Sequence, residues 1–206
     1  LSTRRGSLCV YDGARVLAHE AWDEPAARHP GIYDVLPRLL RAAGAEWAKL
    51  TAVAVGRGPG SFSGIRVALT AARAIALPTR LPVLAVSSGE ALARAVAQEA
   101  DAPARIVVAG DARRGAIWYA VFHRHGTEAR PEGDWTLAAA QDFAARVPEG
   151  ALLVTSDPAR LSKAMGAAAA AERYPDAAHV AALAWQRIQQ GRPGDPLEPL
   201  YLHPPV

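Results

Sequence analysis

Residues 53–67 contain the most constraining pattern in the chain: an apolar stretch, a glycine-rich segment and a helical pattern, in that order. The run at residues 50–55 predicts a short buried strand because it contains two valines and stops at Gly56. Residues 65–77 predict a helix that ends before Pro78, since proline cannot continue a helix. We expect Ser63 to cap the start of this helix. Strand, loop and helix in this order favour an α/β fold.

The loop between this strand and this helix is rich in glycine, which lets the backbone approach other atoms closely because no Cβ is present. Its distinctive residues are Gly56, Gly58, Pro59, Gly60, Ser61 and Gly64. A Walker loop is excluded because Ile65 and Arg66 follow the last glycine, and a dinucleotide fingerprint is excluded because Ser63 replaces its third glycine. The remaining alternatives are a tightly packed turn and an anion site at the helix start, and we favour the packed turn.

The helix that follows is apolar nearly all round. Its main apolar stripe consists of Ile65, Leu69, Ala72 and Ala76, and Val67, Ala71, Ala74 and Ile75 extend it. Only Arg66, Thr70 and Arg73 form a polar strip. A helix with this pattern is covered on two sides. The second cover is either another part of the same domain or another subunit.

The rest of the chain alternates strand and helix patterns, which indicates two α/β lobes. Residues 6–22 predict a hairpin, residues 32–43 a helix, residues 81–86 a strand, and Ser87 the cap of a helix reaching residue 100. Asp101, Ala102 and Pro103 mark the expected boundary, so that the lobes are residues 1–102 and 103–206. The second lobe is expected to have strands at 106–109, 116–122 and 152–154, and helices at 137–146, 157–170 and 179–190.

The composition of the chain limits the cellular compartments and the binding partners that we expect for it. The 206 residues carry a formal net charge of +3, with arginines scattered along the chain, so the sequence does not predict a dedicated nucleic-acid surface. Cys9 is the only cysteine, which excludes an intrachain disulfide and is compatible with a reducing compartment. No run approaches a membrane span and no secretory leader is visible, so we expect a cytoplasmic protein.

Residues for catalysis are sparse. His123 and His125 are expected on the same side of a strand, but two ligands do not make a zinc site. The sequence contains no His-x-x-x-His pair and no Gly-x-Ser-x-Gly motif. Asp111, Arg113 and Arg114 are interpreted first as a polar hairpin turn with local charge pairing, and second as part of an interface.

Three segments carry a family resemblance: V-G-R-G-P-G-S-F-S-G-I-R at residues 55–66, L-P-V-L-A-V-S-S at 81–88, and E-A-L at 90–92. Together they resemble the bacterial TsaB (YeaZ) family, with Ser63 in place of a common threonine. The resemblance spans nearly the whole chain and implies an actin-like ATPase fold of two lobes. It also implies a first strand, ending in an aspartate, that would come before Leu1.

The resemblance implies a non-catalytic subunit that binds and activates TsaD, with TsaE joining, to form threonylcarbamoyl on N6 of adenosine 37 in tRNAs reading ANN codons. It further implies a homodimer when TsaD is absent, only indirect contact with tRNA, no membrane, no cofactor of its own, and ATP or ADP at an interface of the complex. The expected interface residues are Ile65, Arg66, Leu69, Thr70, Ala72, Arg73, Leu36 and Leu40. The alternatives are a metal-dependent peptidase or a nucleotide-hydrolysing enzyme of the same fold; the scattered charge disfavours a stand-alone tRNA binder.

Overall fold

The computed structural model describes residues 1–23, 31–165 and 170–202. The strands are β1 (Arg5–Tyr11), β2 (Val16–Asp23), β3 (Val53–Gly56), β4 (Val83–Val86), β5 (Arg105–Arg113), β6 (Ala116–His125), β7 (Glu128–Pro131), β8 (Thr136–Ala139), β9 (Leu152–Thr155) and β10 (Ala171–Glu172). The helices are α1 (Ile32–Ala42), α2 (Phe62–Ala76), α3 (Ser88–Ala97), α4 (Ala140–Phe143), α5 (Pro158–Met165) and α6 (Ala177–Gln189).

The chain forms two compact units. Unit 1 contains Leu1–Ala91 and Pro175–Leu200, and unit 2 contains Leu92–Tyr174 and the tail from Tyr201. The sequence placed residues 175–200 in the second lobe, whereas the structure packs α6 in unit 1. The reason is burial: Val180 and Leu183 of α6 pack with Leu84 and Val86 of β4. The division between the units falls within α3.

Unit 1 has two separate two-stranded sheets among its described residues. β1 and β2 form the predicted antiparallel hairpin, and β3 pairs in parallel with β4. Helix α1 packs on the hairpin through Val35 and Leu39, next to Val10. On β3, Val55 packs with Ile65 and Leu69 of α2. Because successive strand residues point to opposite faces, Ala54 instead packs with the α6 cluster.

Unit 2 is built on one mixed sheet with strand order β10-β9-β5-β6-β7, and β8 also pairs with β6. The strands β5, β9 and β10 run parallel, whereas β5 and β6 run antiparallel. Alternate residues of β5 point to opposite faces: Ile106 packs with Val96 of α3, and Val107 with Leu161 of α5. The sheet is therefore covered on both faces, as expected of an α/β unit.

Two predicted helices have different extents in unit 2. Residues 137–139 were expected to begin a helix, but with Thr136 they form β8, and only α4 and a 3-10 turn at Ala144–Arg146 follow. The open edge of β6 explains this, because Leu137 pairs opposite Trp118 and backbone pairing outweighs local helix preference. Helix α5 ends at Met165, and the remainder of its predicted extent, residues 166–169, lies outside the described residues.

Candidate partner-binding surface

One side of α2 is buried within unit 1. Ile65 is fully buried, and Leu69 and Ala72 are 4% exposed, packed with Val55 and Ala85. The predicted apolar stripe is therefore confirmed as the side that covers β3. Burial of this stripe fixes which residues remain at the surface, since the helical period of 3.6 sends the intervening positions outward.

The opposite side of α2 is exposed and contains large apolar side chains. Phe62 is 47% exposed, Val67 54% and Leu77, at the carboxyl end of the helix, 76%. We call this surface the α2 strip, and it comprises Phe62, Arg66, Val67, Thr70, Ala74 and Leu77, all exposed. The guanidinium carbon of Arg66 lies 3.9 Å from the centre of the Phe62 ring, a cation–π contact at the amino end of the strip.

The predicted interface residues divide between the core and the surface. Buried in unit 1 are Ile65, Leu69, Ala72 and Leu40, and Leu36 is half-buried. Arg66, Thr70 and Arg73 are exposed, and Arg73 donates from Nη2 to the carbonyl oxygen of Leu197 at 2.7 Å. A partner can therefore contact the exposed residues directly, whereas the buried residues pack within unit 1. Phe62, Val67 and Leu77 were not predicted as interface residues. Their helical spacing beside Arg66 and Thr70 could have indicated that they lie on the same exposed side of α2.

The glycine-rich loop packs against its own unit, which supports the packed-turn interpretation. Gly58 donates its N–H to Ser88 Oγ at 3.1 Å, and Ser88 donates its N–H to the Gly58 carbonyl at 2.7 Å. The N–H of Ser61 donates to the carbonyl oxygen of Ser2 at 2.6 Å. A Cβ on Gly60 would lie 2.0 Å from the same oxygen, so glycine is required for this approach.

The helix cap differs from the prediction. Ser61, not Ser63, is the N-cap of α2, and its hydroxyl oxygen accepts the N–H of Gly64 at 3.3 Å. Ser63 lies inside the first turn because the helix begins at Phe62. An N-cap side chain accepts the N–H of a residue two or three positions later in the chain. Ser61 meets this condition with Gly64, whereas Ser63 lies within the helix.

The turn predicted around Asp111 joins β5 to β6 in unit 2. Asp111 Oδ1 accepts the backbone N–H of Arg113 at 2.7 Å, whereas the side chains of Arg113 and Arg114 are exposed. Arg113 and Arg114 adopt positive φ angles of 65° and 52°, and Gly115 follows at 72°. The polar-turn interpretation therefore holds through a backbone hydrogen bond in place of the expected pairing of charges.

Reactive groups elsewhere are held in structural contacts. The rings of His123 and His125 lie 5.9 Å apart, and His123 Nε2 lies 3.0 Å from Glu132 Oε1. Within the described ranges, no three His, Cys, Asp or Glu side chains come together as a metal site. Burial, and secondarily the charge of Asp176, raises the pKa of the Cys9 thiol to about 12. This thiol is therefore neutral at ordinary pH and a poor nucleophile.

No helix in the described part of the chain has both the length and the apolar character needed to cross a bilayer.

Comparisons with known proteins identify the family that this chain resembles. The model of the family described as TsaD, tRNA N6-adenosine threonylcarbamoyltransferase, matches residues 29–150. The tRNA threonylcarbamoyladenosine biosynthesis protein TsaB of Escherichia coli is 30% identical over 133 residues, which cover 62% of this chain and 57% of the relative. The TsaB protein of Haemophilus influenzae is 35% identical over 88 residues, 43% of this chain and 37% of the relative. The matched regions thus span little more than half of one curated relative and less of the other.

A related enzyme and a solved structure complete the comparison. The tRNA N6-adenosine threonylcarbamoyltransferase of Afipia carboxidovorans is 46% identical over 70 residues, 33% of this chain and 20% of that enzyme. The structure of YeaZ from Pseudomonas aeruginosa superimposes with a TM-score of 0.77 at 24% identity, covering 98% of this chain and 96% of that one. This likeness shows that the chain shares the YeaZ fold, and its mixed α/β architecture is consistent with the expected actin-like ATPase type. The family model covers more than half of the chain, so the chain belongs to the family described as TsaD, tRNA N6-adenosine threonylcarbamoyltransferase, and it is similar to TsaB proteins.

Proposed function

We propose that this chain is a non-catalytic subunit in the biosynthesis of threonylcarbamoyladenosine in tRNA, and that it binds and activates a TsaD-type transferase. Family membership and the names of the TsaB and TsaD relatives support this pathway. A cytoplasmic location follows from the tRNA substrate. TsaE as a further partner, and ATP or ADP at an interface of the complex, belong to the same proposal.

The observation that carries the proposal is the α2 strip. Val67 and Leu77 are large, apolar and more than half exposed on a helix whose other side is buried. Exposed apolar side chains grouped on one element, with polar neighbours such as Arg66 and Thr70, have the composition of a protein interface: an apolar centre and a polar edge. We propose that TsaD buries this strip, and that a second copy of the chain buries it when TsaD is absent.

The proposal is tested with the double variant Val67→Asp and Leu77→Asp. Both positions are exposed, so unit 1 is expected to fold with an unchanged melting temperature. Two charges placed in a desolvated contact are expected to weaken binding to the purified transferase of the same organism at least about a hundredfold. The measurement is isothermal titration calorimetry, followed by reconstitution of tRNA threonylcarbamoylation with each variant.

The matched control is Val16→Asp, because Val16 is an apolar residue of β2 that is 38% exposed and lies outside the α2 strip. This variant is expected to bind and activate like the wild type. Equal affinity of the double variant and the control would show that TsaD does not use the strip. Full tRNA modification without the chain would refute the subunit role, whatever surface it uses.

A further inference from the structure

The segment of the chain that contains α2 carries positive charge only. Glu46 is the last acidic residue before this segment, and Glu90 is the first acidic residue after it. Residues 47–89 contain Lys49 and four arginines, but no aspartate and no glutamate. All 20 acidic residues of the chain therefore lie elsewhere in the sequence, although the net charge of the whole chain is only +3.

Three of these arginines follow one another at intervals of seven residues, and we call them the arginine row. Arg66 and Arg73 lie in α2, and Arg80 lies in the turn that follows the helix. All three residues are exposed. Seven residues make nearly two helical turns, so Arg66 and Arg73 lie on the same side of α2, about 10 Å apart along its axis.

The arginine row borders the apolar residues of the α2 strip. Successive residues of a helix are rotated by about 100°, which places Thr70 and Leu77 next to Arg66 and places Val67 and Ala74 farther round the helix. The exposed side of α2 is therefore an apolar area with a positive margin. This is the composition of a protein interface, in which apolar residues form the centre and charged residues the edge.

Contacts within unit 1 do not neutralise the row. Among the described residues, neither Arg73 nor Arg80 forms an ion pair. Arg73 donates to an uncharged acceptor, the carbonyl oxygen of Leu197. Glu198 follows on the same tail, but its carbonyl oxygen, not its carboxylate, accepts a hydrogen bond from Arg57 Nε at 2.9 Å. The positive charge of the row is therefore directed to solvent or to a partner.

A row of one sign cannot complement itself. In a dimer with two-fold symmetry the same surface of each copy contacts the other. Arginines of one copy then lie near arginines of the second copy, whether the two α2 helices run parallel or antiparallel. Like charges brought together in an interface are unfavourable. Contact between two copies through α2 is therefore opposed by charge, whereas contact with an acidic surface is favoured by it.

On the basis of the proposed function, we propose that the arginine row determines which partner α2 binds. It favours a helix of the transferase that carries aspartate or glutamate at intervals of seven residues, and it disfavours a second copy of this chain. Facing helices choose their partners in coiled coils through opposite charges at this spacing. The apolar side chains of Val67 and Leu77 favour a protein over a nucleic acid, because phosphates would not give them apolar contacts.

The dependence on salt tests attraction and repulsion separately. Raising the NaCl concentration from about 50 mM to about 500 mM shortens the distance over which charges interact. The dissociation constant of the complex with the purified transferase of the same organism, measured by isothermal titration calorimetry, is expected to rise at least about fivefold. The dissociation constant for self-association of the chain, measured by analytical ultracentrifugation, is expected to fall at least about threefold.

Substitutions of Arg73 test the charge directly. Arg73→Glu is expected to weaken binding to the transferase at least about thirtyfold at low salt. The same variant is expected to tighten self-association at least about tenfold, because the new carboxylate can pair with Arg66 of the second copy. Arg73→Gln removes the charge but keeps a donor for the Leu197 carbonyl, so both constants should lie between those of the wild type and Arg73→Glu.

The matched control is Arg146→Glu, which makes the same change in net charge at an exposed arginine of unit 2. This variant is expected to keep both dissociation constants within about twofold of the wild type. Melting temperatures establish that each variant is folded. If Arg73→Glu does not fold, Arg80→Glu replaces it, since Arg80 is exposed and should show the same pair of opposite effects.

Three outcomes would overturn the proposal. Binding to the transferase that depends neither on salt nor on the charge of Arg73 would exclude selection by charge; if Val67→Asp with Leu77→Asp still abolished that binding, the proposed function would stand. Binding of tRNA by the chain alone, lost in Arg73→Glu and kept in Arg146→Glu, would assign the row to phosphates. A wild-type chain that does not bind the transferase at either salt concentration would refute the proposed function and the partner choice together.

Discussion

Arg187 of α6 and Glu90 of α3 form a nearly buried ion pair, with Nη2 of the arginine 2.7 Å from Oε2 of the glutamate. Nη1 of the same guanidinium lies 2.9 Å from Oδ1 of Asp195 and 3.3 Å from the carbonyl oxygen of Ala85, to which it donates. The Arg187 side chain is only 12% exposed. Arg187 thus connects α6, the first turn of α3, β4 and Asp195, all within unit 1.

Removal of this arginine is expected to be strongly destabilising. Arg187→Ala removes the guanidinium from two partly buried carboxylates, Glu90 and Asp195, so the free energy of unfolding should fall by about 2–3 kcal/mol. The measurement is urea denaturation followed by circular dichroism. The control is Arg38→Ala, whose exposed pair with Glu20 at 2.5 Å should contribute less than about 1 kcal/mol. Similar losses in the two variants would show that Arg187 does not organise unit 1.

The glycine-rich loop gives a second prediction. Gly60→Ala forces a side chain into a backbone with φ of 150° and places its Cβ 2.0 Å from the carbonyl oxygen of Ser2. Strain at such a position, together with the displaced backbone, should lower the free energy of unfolding by at least about 2 kcal/mol. Gly133→Ala is the control, because a Cβ there meets no atom within 4 Å and its effect should be within about 0.5 kcal/mol. Thermal unfolding distinguishes the two, and a neutral Gly60→Ala would contradict the packed-turn interpretation.

The bidentate pair between Glu99 and Arg173 in unit 2 predicts a dependence on pH. Arg173 Nε lies 2.7 Å from Oε1 of Glu99 and Nη2 lies 3.1 Å from Oε2. Hydrogen bonding from Arg173 lowers the pKa of Glu99 below its ordinary value of 4.5. A lowered folded-state pKa means that the pair stabilises the fold above pH 4.5, and that this stability is lost as pH falls through the folded-state pKa.

Glu99→Gln is therefore expected to reduce the free energy of unfolding at pH 7 by less than about 1 kcal/mol, because both side chains are partly exposed. The difference from the wild type should shrink in urea denaturation as the pH falls below 4.5. In the Arg173→Leu background the same substitution should show no such dependence on pH. A difference that stays constant as the pH falls would contradict the role of this pair.

Much of unit 1 was predictable because its signals are local. The hairpin of β1 and β2 follows from two apolar runs around Asp12 and Gly13, and α1 from its apolar period and its stop at Gly44, which adopts a φ of 61°. The pattern of Ser87 and Glu90 predicted the start of α3, and Glu90 donates its N–H to Ser87 Oγ at 3.3 Å. Each of these features depends on residues close together in sequence.

The structure differs from the predictions where contacts between residues distant in sequence outweigh local preferences. Residues 137–139 were predicted to be helical, but together with Thr136 they pair with β6 and form a strand. The cap of α2 moved from Ser63 to Ser61, where the loop is also held by the carbonyl of Ser2. Local sequence could not reveal either contact, since the partner backbone comes from another part of the chain.

The sequence by itself determined the alternation of strands and helices, the two-sided apolar character of α2 and the family. Only the tertiary structure decided which side of α2 is covered, because Ile65 and Leu69 are buried against β3 while Val67 and Leu77 remain exposed. It alone also brought α6 into unit 1, where Val180 and Leu183 pack with Leu84 and Val86 of β4. The physical reason is that the apolar periodicity of a segment shows how much of its surface must be buried. Which residues bury that surface depends on packing with parts of the chain that are distant in sequence.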